Sequence, residues 1–423
     1  MQANINRNQL FVASCLALLV TSLSFGIRAG ILNKLGTDFN LNASELSTIA
    51  ATAFWGFPLA VIIGGMVVDI IGMKRLLELA FLFHLAGILL TIFAGGFWSL
   101  FISTLLVGIA NGTVEAACNP LVTALYSDNK TTKLNHFHLW FPGGIVIGTL
   151  ISYYFTKIGI SWQVQVATML VPTLIYGYQF FKLSFPVTER VAAGVSTEEM
   201  YKSLASPLFL FMIICMFGTA ITELFTGQWI DVLLKSVTDN AILILTISTG
   251  VMVIGRGLAE PVVHRLSSQG VLIASAIFSA LGLYMLGHST GNMIFVGALV
   301  FGIGVCYFWP TMLGFVAENL PKTGAVGINL MGGAGMFAVS VYTMFMGTFY
   351  DNKLISKLPA GAKLEDYNAA SATEEMKAAL SAAKTAAGPE IINATLLIPI
   401  ILTVAFIGLY FYTRGRAKAT LAS

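Results

Sequence analysis

The sequence predicts an all-α membrane protein with twelve transmembrane helices in two six-helix halves. Of its 423 residues, 57% are hydrophobic and only 10% are charged, whereas soluble domains carry about 25% charged residues. The apolar residues also fall into twelve separate stretches, each close to the ~20 residues that cross the hydrocarbon core of a bilayer. A polar segment then divides these stretches six and six.

The twelve predicted spans follow one another with short polar connections. The segment 186–205 separates them into an N-terminal half, residues 1–185, and a C-terminal half, residues 206–423, and it is predicted to be a cytoplasmic linker. A second polar segment, 351–389, is predicted to be an extracytoplasmic loop with a short surface helix near residues 372–387. The spans cover residues 9–33, 45–70, 76–95, 97–126, 134–157, 162–185, 206–234, 240–263, 270–287, 291–317, 324–349 and 390–412.

The charged residues predict the orientation and exclude several functions. Most Lys and Arg residues of the short loops fall on the side of the two termini, so the positive-inside rule places both termini in the cytoplasm. The compact loops, with no eukaryotic targeting segment, favour a bacterial inner membrane. A net charge of +3 gives no indication of nucleic-acid binding. The four cysteines lack metal-ligand spacing, so neither a metal nor a cofactor is expected.

The two halves repeat one pattern. Pro120 precedes the pair Gly143-Gly144, and Pro310 precedes Gly332-Gly333 at nearly the same distance. Related halves with a binding site at the bilayer midplane are typical of secondary transporters. Glu115 lies in the fourth span, in an otherwise apolar run. Because a carboxylate in the membrane is costly unless it is paired or functional, Glu115 is the first candidate for a proton or substrate site.

The loop between the second and third spans reads Gly65-Met-Val-Val-Asp69-Ile-Ile-Gly72-Met-Lys74-Arg75. It resembles the G-x-x-x-D-x-x-G-x-[RK] loop of the major facilitator superfamily. The glycines let helices approach closely, and Asp69 can pair with basic groups or a helix end when one face of the protein is closed. Asp69, Lys74 and Arg75 are therefore predicted to take part in conformational gating. The resemblance implies the major facilitator fold.

Four further stretches are similar to the fucose:proton symporter family of sugar permeases. They are Glu115-Ala-Ala-Cys-Asn119-Pro120, Leu134-Asn135 followed by Gly144, Glu223-Leu-Phe-Thr-Gly-Gln228-Trp229, and Phe308-Trp309-Pro310-Thr311. The resemblance implies proton-coupled uptake of neutral sugars, with the span-four Glu in sugar binding and coupling and a span-one Asp carrying the proton. This chain departs from that pattern, because Ala29 stands at the position of the Asp and Arg28 stands beside it.

Arg28 stays protonated at any ordinary pH, so it needs a partner. It is open to three interpretations: an ion pair with Glu115 across the cavity, an anchor for a substrate carboxylate or phosphate, or a snorkelling residue near the outer end of the first span. Arg256, in the eighth span, also needs a partner. Glu260, one turn further on, is the predicted one, and Arg256 is interpreted as structural.

The expected function is import of a monosaccharide or sugar derivative, driven by a proton or by Na⁺, by a monomer in the lipid bilayer using alternating access. The alternatives are transport of an anionic sugar acid or small organic anion through Arg28, and uncoupled sugar uniport. An enzyme is not expected, because the candidate groups lack the partners that catalysis needs. Glu115, Glu223 and His138 are the candidates for proton coupling. The candidate substrate-binding residues are Arg28, Glu115, Asn119, His138, Trp140, Glu223, Gln228, Trp229, Trp309 and Asn329.

Overall fold

The computed structural model describes residues 5–227, 241–368 and 372–422, and throughout these ranges the ordered elements are helices. Ten of the described helical stretches are long and apolar enough to cross a membrane, and Ile244–Gly257 is a shorter apolar helix. The predicted residues Gln228 and Trp229 lie outside the described residues.

The helices are numbered here in chain order. A π-helical turn, Ile221–Phe225, follows α11, and a 3₁₀ turn, Pro321–Thr323, follows α15. The bounds are α1 Arg7–Asp38, α2 Ala43–Ile71, α3 Met73–Ile92, α4 Phe97–Leu125, α5 Lys130–His138, α6 Trp140–Lys157, α7 Trp162–Ala167, α8 Leu170–Lys182, α9 Glu189–Ala192, α10 Thr197–Leu204, α11 Pro207–Ala220, α12 Ala241–Gly257, α13 Ala259–His288, α14 Met293–Val305, α15 Phe308–Asn319, α16 Gly324–Lys357, α17 Leu364–Asn368 and α18 Glu374–Ala422.

Four predicted spans contain a break between two described helices. The breaks fall between α5 and α6, α7 and α8, α12 and α13, and α14 and α15. In each case the third residue of the second helix is a proline, namely Pro142, Pro172, Pro261 and Pro310. Proline has no N–H for the carbonyl four residues earlier, and its ring clashes with that carbonyl. These prolines explain the breaks, although a proline alone does not predict one, because Pro58, Pro120, Pro389 and Pro399 lie inside continuous helices.

The described chain divides into two compact units. The first contains Met1–Met212 and Pro310–Gly333, and the second contains Ile213–Trp309 and Ala334–Ser423. In the first unit α1, α2 and α3 pack against α4, and α1 also packs along α6. In the second unit α13 packs against α14 and α18. The residues 310–333 thus belong with the N-terminal part of the chain, and the predicted six-and-six division stays a prediction.

The contact between α2 and α4 depends on two glycines spaced four residues apart. A Cβ at Gly108 would come within 2.7 Å of the Ala53 carbonyl oxygen, and one at Gly112 within 2.2 Å of the Phe57 carbonyl oxygen. Small residues at this spacing let two membrane helices bring their backbones together. This close packing fixes α4, the helix that carries Glu115, against its neighbour.

The two polar segments contain more helix than the sequence analysis indicated. Within 351–389, α16 continues to Lys357, α17 covers Leu364–Asn368, and α18 begins at Glu374 and runs without a break into the last span. Ala, Lys and Glu dominate this segment and all have high helix propensity. The linker 186–205 likewise holds α9 and α10, and a Ser196–Glu199 capping box starts the second of these.

Candidate transport site

Glu115 lies in a buried polar cluster of the first unit with Asn119 and His138. Glu115 and Asn119 are one turn apart on α4, and Asn119 Nδ2 donates a hydrogen bond of 2.6 Å to Glu115 Oε2. Asn119 Oδ1 lies 3.0 Å from His138 Nε2, at the end of α5. The three side chains are almost fully buried, with Glu115 only 4% exposed. The structure therefore brings together three of the predicted site residues.

The hydrogen-bond directions show how this cluster can hold a proton. Because Asn119 uses its NH₂ group for Glu115, its oxygen faces His138 and accepts from Nε2–H. The other ring nitrogen, Nδ1, lies 3.9 Å from Glu115 Oε1. One added proton would therefore sit between a carboxylate and an imidazole, which are the two side chains most suited to exchange protons near neutral pH.

Asn329 is joined to the same helix one turn away. Pro120 lacks the N–H that would bond to the Ala116 carbonyl, and Asn329 Nδ2 donates to that carbonyl at 2.9 Å instead. Asn329 is 1% exposed and lies on α16, within the part of α16 that belongs to the first unit. Asn329, in the second half of the sequence, thus donates the hydrogen bond to the Ala116 carbonyl that Pro120 cannot donate.

Asn329→Ala is expected to lower the free energy of unfolding by about 1–3 kcal/mol, because it leaves a buried carbonyl without a donor. Pro120→Ala should restore an N–H at that point, so the double variant should lose less stability than the two single losses combined. Thermal unfolding in detergent measures both. Asn319→Ala is the matched control, since its amide bonds to Phe315 O within a regular turn of α15. Additive losses would contradict this account.

Trp140 and Arg28 are the remaining predicted site residues of the first unit. Trp140 is half-buried, and its carbonyl accepts a 3.0 Å hydrogen bond from Ser22 Oγ. Arg28 is half-buried, and its guanidinium makes no ion pair or hydrogen bond with any described residue. The Glu115–Arg28 ion pair considered from the sequence is therefore not formed in this structure, where Glu115 contacts Asn119 and faces His138.

In the second unit Glu223 pairs with Arg256. Glu223 lies in the π-helical turn after α11, and Arg256 Nη2 donates to its Oε1 at 2.8 Å. The predicted pairing of Arg256 with Glu260 is wrong. The helix is interrupted at Leu258, between α12 and α13, so Glu260 does not lie one helical turn above Arg256 and is exposed instead. Trp309 is buried in this unit.

Asp69 is held by the linker. Its carboxylate accepts hydrogen bonds from Thr188 and from Arg190, whose Nε lies 2.6 Å from Oδ2. Both charges of the Asp69–Arg190 pair are largely buried. Of the other two predicted gating residues, Lys74 donates to the carbonyls of Phe181 and Leu183 at the end of α8, where a cation is favoured. Arg75 is exposed.

A second set of contacts in the first unit joins α5 to the linker and to α15. Lys130 Nζ donates to Glu189 at 2.8 Å and to the Ala317 carbonyl at 3.1 Å. Glu318 accepts from both the backbone N–H and the hydroxyl of Thr131, at the start of α5. These bonds tie residues 310–333 to the N-terminal part of the chain on the side of the linker.

An exposed ion pair lies beside these contacts. The Lys322 ammonium donates a hydrogen bond to the carboxylate of Glu199, in the first turn of α10. The backbone N–H of Ser196 and the Lys322 ammonium lower the pKa of the Glu199 carboxyl below its ordinary value. The group is therefore ionised at neutral pH, and acidification would weaken the contact.

Sequence reasoning missed the partners of the predicted residues more often than the residues themselves. Arg190 and Lys130 stand in predicted cytoplasmic segments, and both form largely buried ion pairs at the linker. Their proximity to Asp69 and Ala317 depends on how the chain returns on itself, and the local sequence contains no signal for it. Arg256 was identified as needing a partner, and only the structure shows which one.

The comparisons with known proteins define the class. The sequence profile of the Major Facilitator Superfamily matches residues 14–341. The chain therefore belongs to the major facilitator superfamily, a superfamily of membrane transporters. This confirms the predicted fold class of twelve transmembrane helices, the multi-pass membrane location and the expectation of a transporter instead of an enzyme.

Several of the relatives and structural neighbours carry the names of sugar transporters. A solute carrier family 2 facilitated glucose transporter, member 10, from Xenopus laevis is 25% identical over 174 residues, or 41% of this chain and 31% of the relative. The chain thus spans about a third of the length of such curated relatives. The E. coli fucose:proton symporter superimposes with a TM-score of 0.68 at 14% identity, covering 93% of this chain and 98% of the symporter.

A proton:xylose symporter, solved with 6-bromo-6-deoxy-D-glucose bound, superimposes with a TM-score of 0.69 at 14% identity, covering 94% of each chain. At these identities the solved structures establish the fold. The resemblance to the fucose:proton symporter that the motifs indicated is confirmed at that level.

Proposed function

We propose that this protein is a secondary active transporter that imports a monosaccharide or sugar derivative together with a proton by alternating access. The observation that carries the proposal is the buried Glu115–Asn119–His138 cluster. A carboxylate, an amide and an imidazole lie in contact inside a membrane transporter. Ionisable groups at such depth are costly to keep and most often mark the path of a proton or substrate.

Glu115 is the proposed proton acceptor, and His138 shares the proton. When Glu115 is ionised, Asn119 stabilises one carboxylate oxygen while His138 Nδ1 faces the other. Protonation removes the charge from this buried site, which lowers the cost of desolvating it when the cavity closes. Na⁺ is the competing coupling ion. Uptake at fixed pH with and without Na⁺ distinguishes the two.

A sugar-like substrate matches the chemistry of the polar and aromatic side chains predicted from the sequence. Polar groups such as Asn119, Glu223 and Asn329 match hydroxyl groups, and the aromatic faces of Trp140 and Trp309 match the C–H faces of a sugar ring. The sugar-transporter names among the relatives of partial length support this substrate class. We also propose that the protein is a monomer in a bacterial inner membrane. The distribution of its Lys and Arg residues supports cytoplasmic termini.

The direct test is accumulation in proteoliposomes under an imposed pH gradient. We expect a neutral monosaccharide to concentrate inside when the exterior is acidic, and to leak out again when a protonophore collapses the gradient. Uptake that only equilibrates the sugar, with or without the gradient, would identify a uniporter and overturn proton coupling.

Transport of an anionic sugar acid or small organic anion is the second candidate function. The observation that favours it is the half-buried guanidinium of Arg28, which has no partner among the described residues and carries a permanent charge. Under this function a substrate carboxylate or phosphate would supply the missing partner, with bidentate geometry.

Arg28→Gln separates the two functions. Under the neutral-sugar proposal the variant should retain uptake of neutral sugars, because Arg28 makes no described contact with Glu115. Under the second function it should abolish uptake of sugar acids. Initial uptake rates of both substrate classes measure this. Loss of neutral-sugar uptake would show that Arg28 acts in the cycle through a pair absent from this structure.

A further inference from the structure

Arg256 is among the most deeply buried large side chains of the protein. It is 2% exposed, its Nε donates to the Cys306 carbonyl at 2.7 Å, and its Nη2 donates to Glu223 Oε1 at 2.8 Å. A buried guanidinium is costly unless its donors are matched. Its partners here come from the π-helical turn after α11 and from the break between α14 and α15, so Arg256 joins three separate segments of the second unit.

The sequence explains why a donor is needed at Cys306. Pro310, four residues later, lacks the N–H that would bond to the Cys306 carbonyl in a continuous helix. Arg256 supplies that donor from α12. The approach is close, since a Cβ at Gly255 would come within 2.5 Å of Cys306 Sγ. Tyr307 also bonds through its hydroxyl to the Gly255 carbonyl at 2.7 Å. The Arg256 guanidinium is thus held at Nε by the Cys306 carbonyl and at Nη2 by Glu223.

One oxygen of the Glu223 carboxylate is hydrogen-bonded, and the other is an acceptor without a donor among the described residues. Its Oε1 is bound by Arg256, while its buried Oε2 has no hydrogen-bond partner in the described part of the chain. The backbone N–H of Trp309, at the start of α15, also faces the carboxylate. The π-helical turn that presents Glu223 is a rare geometry that is frequent at functional sites.

A buried carboxylate oxygen without a donor costs free energy that a ligand hydroxyl would recover. The Glu223–Arg256 pair has no net charge, so it offers an acceptor without attracting an anion. A substrate carboxylate or phosphate brought to Oε2 would meet a second negative charge. A neutral hydroxyl group brings a donor and no charge, which makes it the matching partner.

We propose that Glu223 Oε2 accepts a hydrogen bond from one hydroxyl group of a neutral sugar, and that Arg256 is the positioning residue that fixes this carboxylate. The inference rests on the proposed function and names a feature of its substrate: an uncharged polyhydroxyl compound with a donor at one defined position. Arg256 then acts on specificity through Glu223 and does not touch the substrate.

The test is exchange of the parent sugar against its monodeoxy and monofluoro analogues in proteoliposomes. A deoxy position can neither donate nor accept, and a fluoro position can only accept weakly. For the wild type we expect one position at which both analogues lose about 10- to 100-fold in kcat/KM, as for a hydrogen bond to a charged group. In Glu223→Gln, Arg256 should hold the amide oxygen and turn the NH₂ group toward the substrate. The fluoro analogue should then recover relative to the parent.

Arg256→Met leaves Glu223 buried without its partner and is expected to unfold or to fold poorly. The double variant Glu223→Gln/Arg256→Met removes both charges, should fold, and should treat parent and deoxy sugar alike with a raised KM. Arg256→Lys should keep the ranking of the analogues in weakened form. Glu198→Gln is the control for a change from glutamate to glutamine, because Glu198 belongs to an exposed ion pair of the linker.

The outcomes separate this inference from the function on which it rests. A wild type that transports only sugar acids overturns both. A wild type that transports a neutral sugar, and whose Glu223→Gln variant ranks the analogues as the wild type does, overturns only the assignment of Glu223 and Arg256. Recovery of the fluoro analogue in Glu223→Gln, together with equal transport of the parent and deoxy sugars by the double variant, supports the assignment.

Discussion

Glu115→Gln is expected to retain sugar exchange and to lose pH-driven accumulation. The amide still offers an oxygen to Asn119, so the hydrogen bond within α4 survives, but it has no proton to exchange with His138. With one proton per sugar, a gradient of two pH units can drive about a hundredfold accumulation, since each unit is worth about 1.4 kcal/mol. Under the same pH gradient, the variant should therefore show a ratio of internal to external sugar concentration near one.

Counterflow and gradient-driven uptake in the same proteoliposomes measure the two properties together. Glu198→Gln is the matched control, because it makes the same change at an exposed position and should accumulate sugar as the wild type does. A Glu115→Gln variant that still concentrates the sugar would remove Glu115 from the coupling mechanism and would leave His138 and Glu223 as the candidates.

The site around Glu115 could largely be predicted from the sequence. Glu115 and Asn119 are four residues apart, which places them on one face of a helix. His138 comes soon after the short connection to the next span, so all three residues had to lie near one another. The bond between Asn329 and Ala116 could be predicted only in part. Pro120 implies an orphaned carbonyl at Ala116, but the donor comes from far along the chain.

Asp69→Asn is expected to lower the uptake rate by a factor on the order of ten or more. The change leaves the Arg190 guanidinium without its largely buried counter-ion, and breaking such a pair costs about 3–5 kcal/mol. In alternating access, contacts on the linker side must form in one state and break in the other. Loss of about 1.4 kcal/mol from one state already changes the ratio of the two states tenfold.

Initial uptake rates and thermal unfolding of the purified variant measure this effect. The double variant Asp69→Asn/Arg190→Gln should regain part of the lost stability, because no unpaired charge remains. Glu198→Gln tests an ion pair of the same linker whose two side chains are exposed, and such a pair contributes about 0–1 kcal/mol. If Asp69→Asn transports at the wild-type rate, the linker contact has no part in the transport cycle.

The contacts of Arg190 and Arg256 mark the limit of sequence reasoning. Arg256 could be recognised as a charge that needs a partner, but helical spacing indicates only partners on the same helix. Arg190 lies in a polar linker, where the sequence gives no such signal. Glu260 was the wrong partner for Arg256 because Leu258 interrupts the helix, and Glu223 approaches from a different segment. Arg190 and Asp69 are far apart in the sequence, and their ion pair forms only when the unit folds.

The most direct test of the central claim records charge movement by wild-type proteoliposomes on a solid-supported membrane, with neutral sugars and sugar acids at pH 6 and pH 8. Proton-coupled import predicts an inward positive current with at least one neutral sugar, larger at pH 6, and absent in Glu115→Gln. A response to sugar acids alone, with no current from any neutral sugar, would contradict the account and identify Arg28 as the anion site.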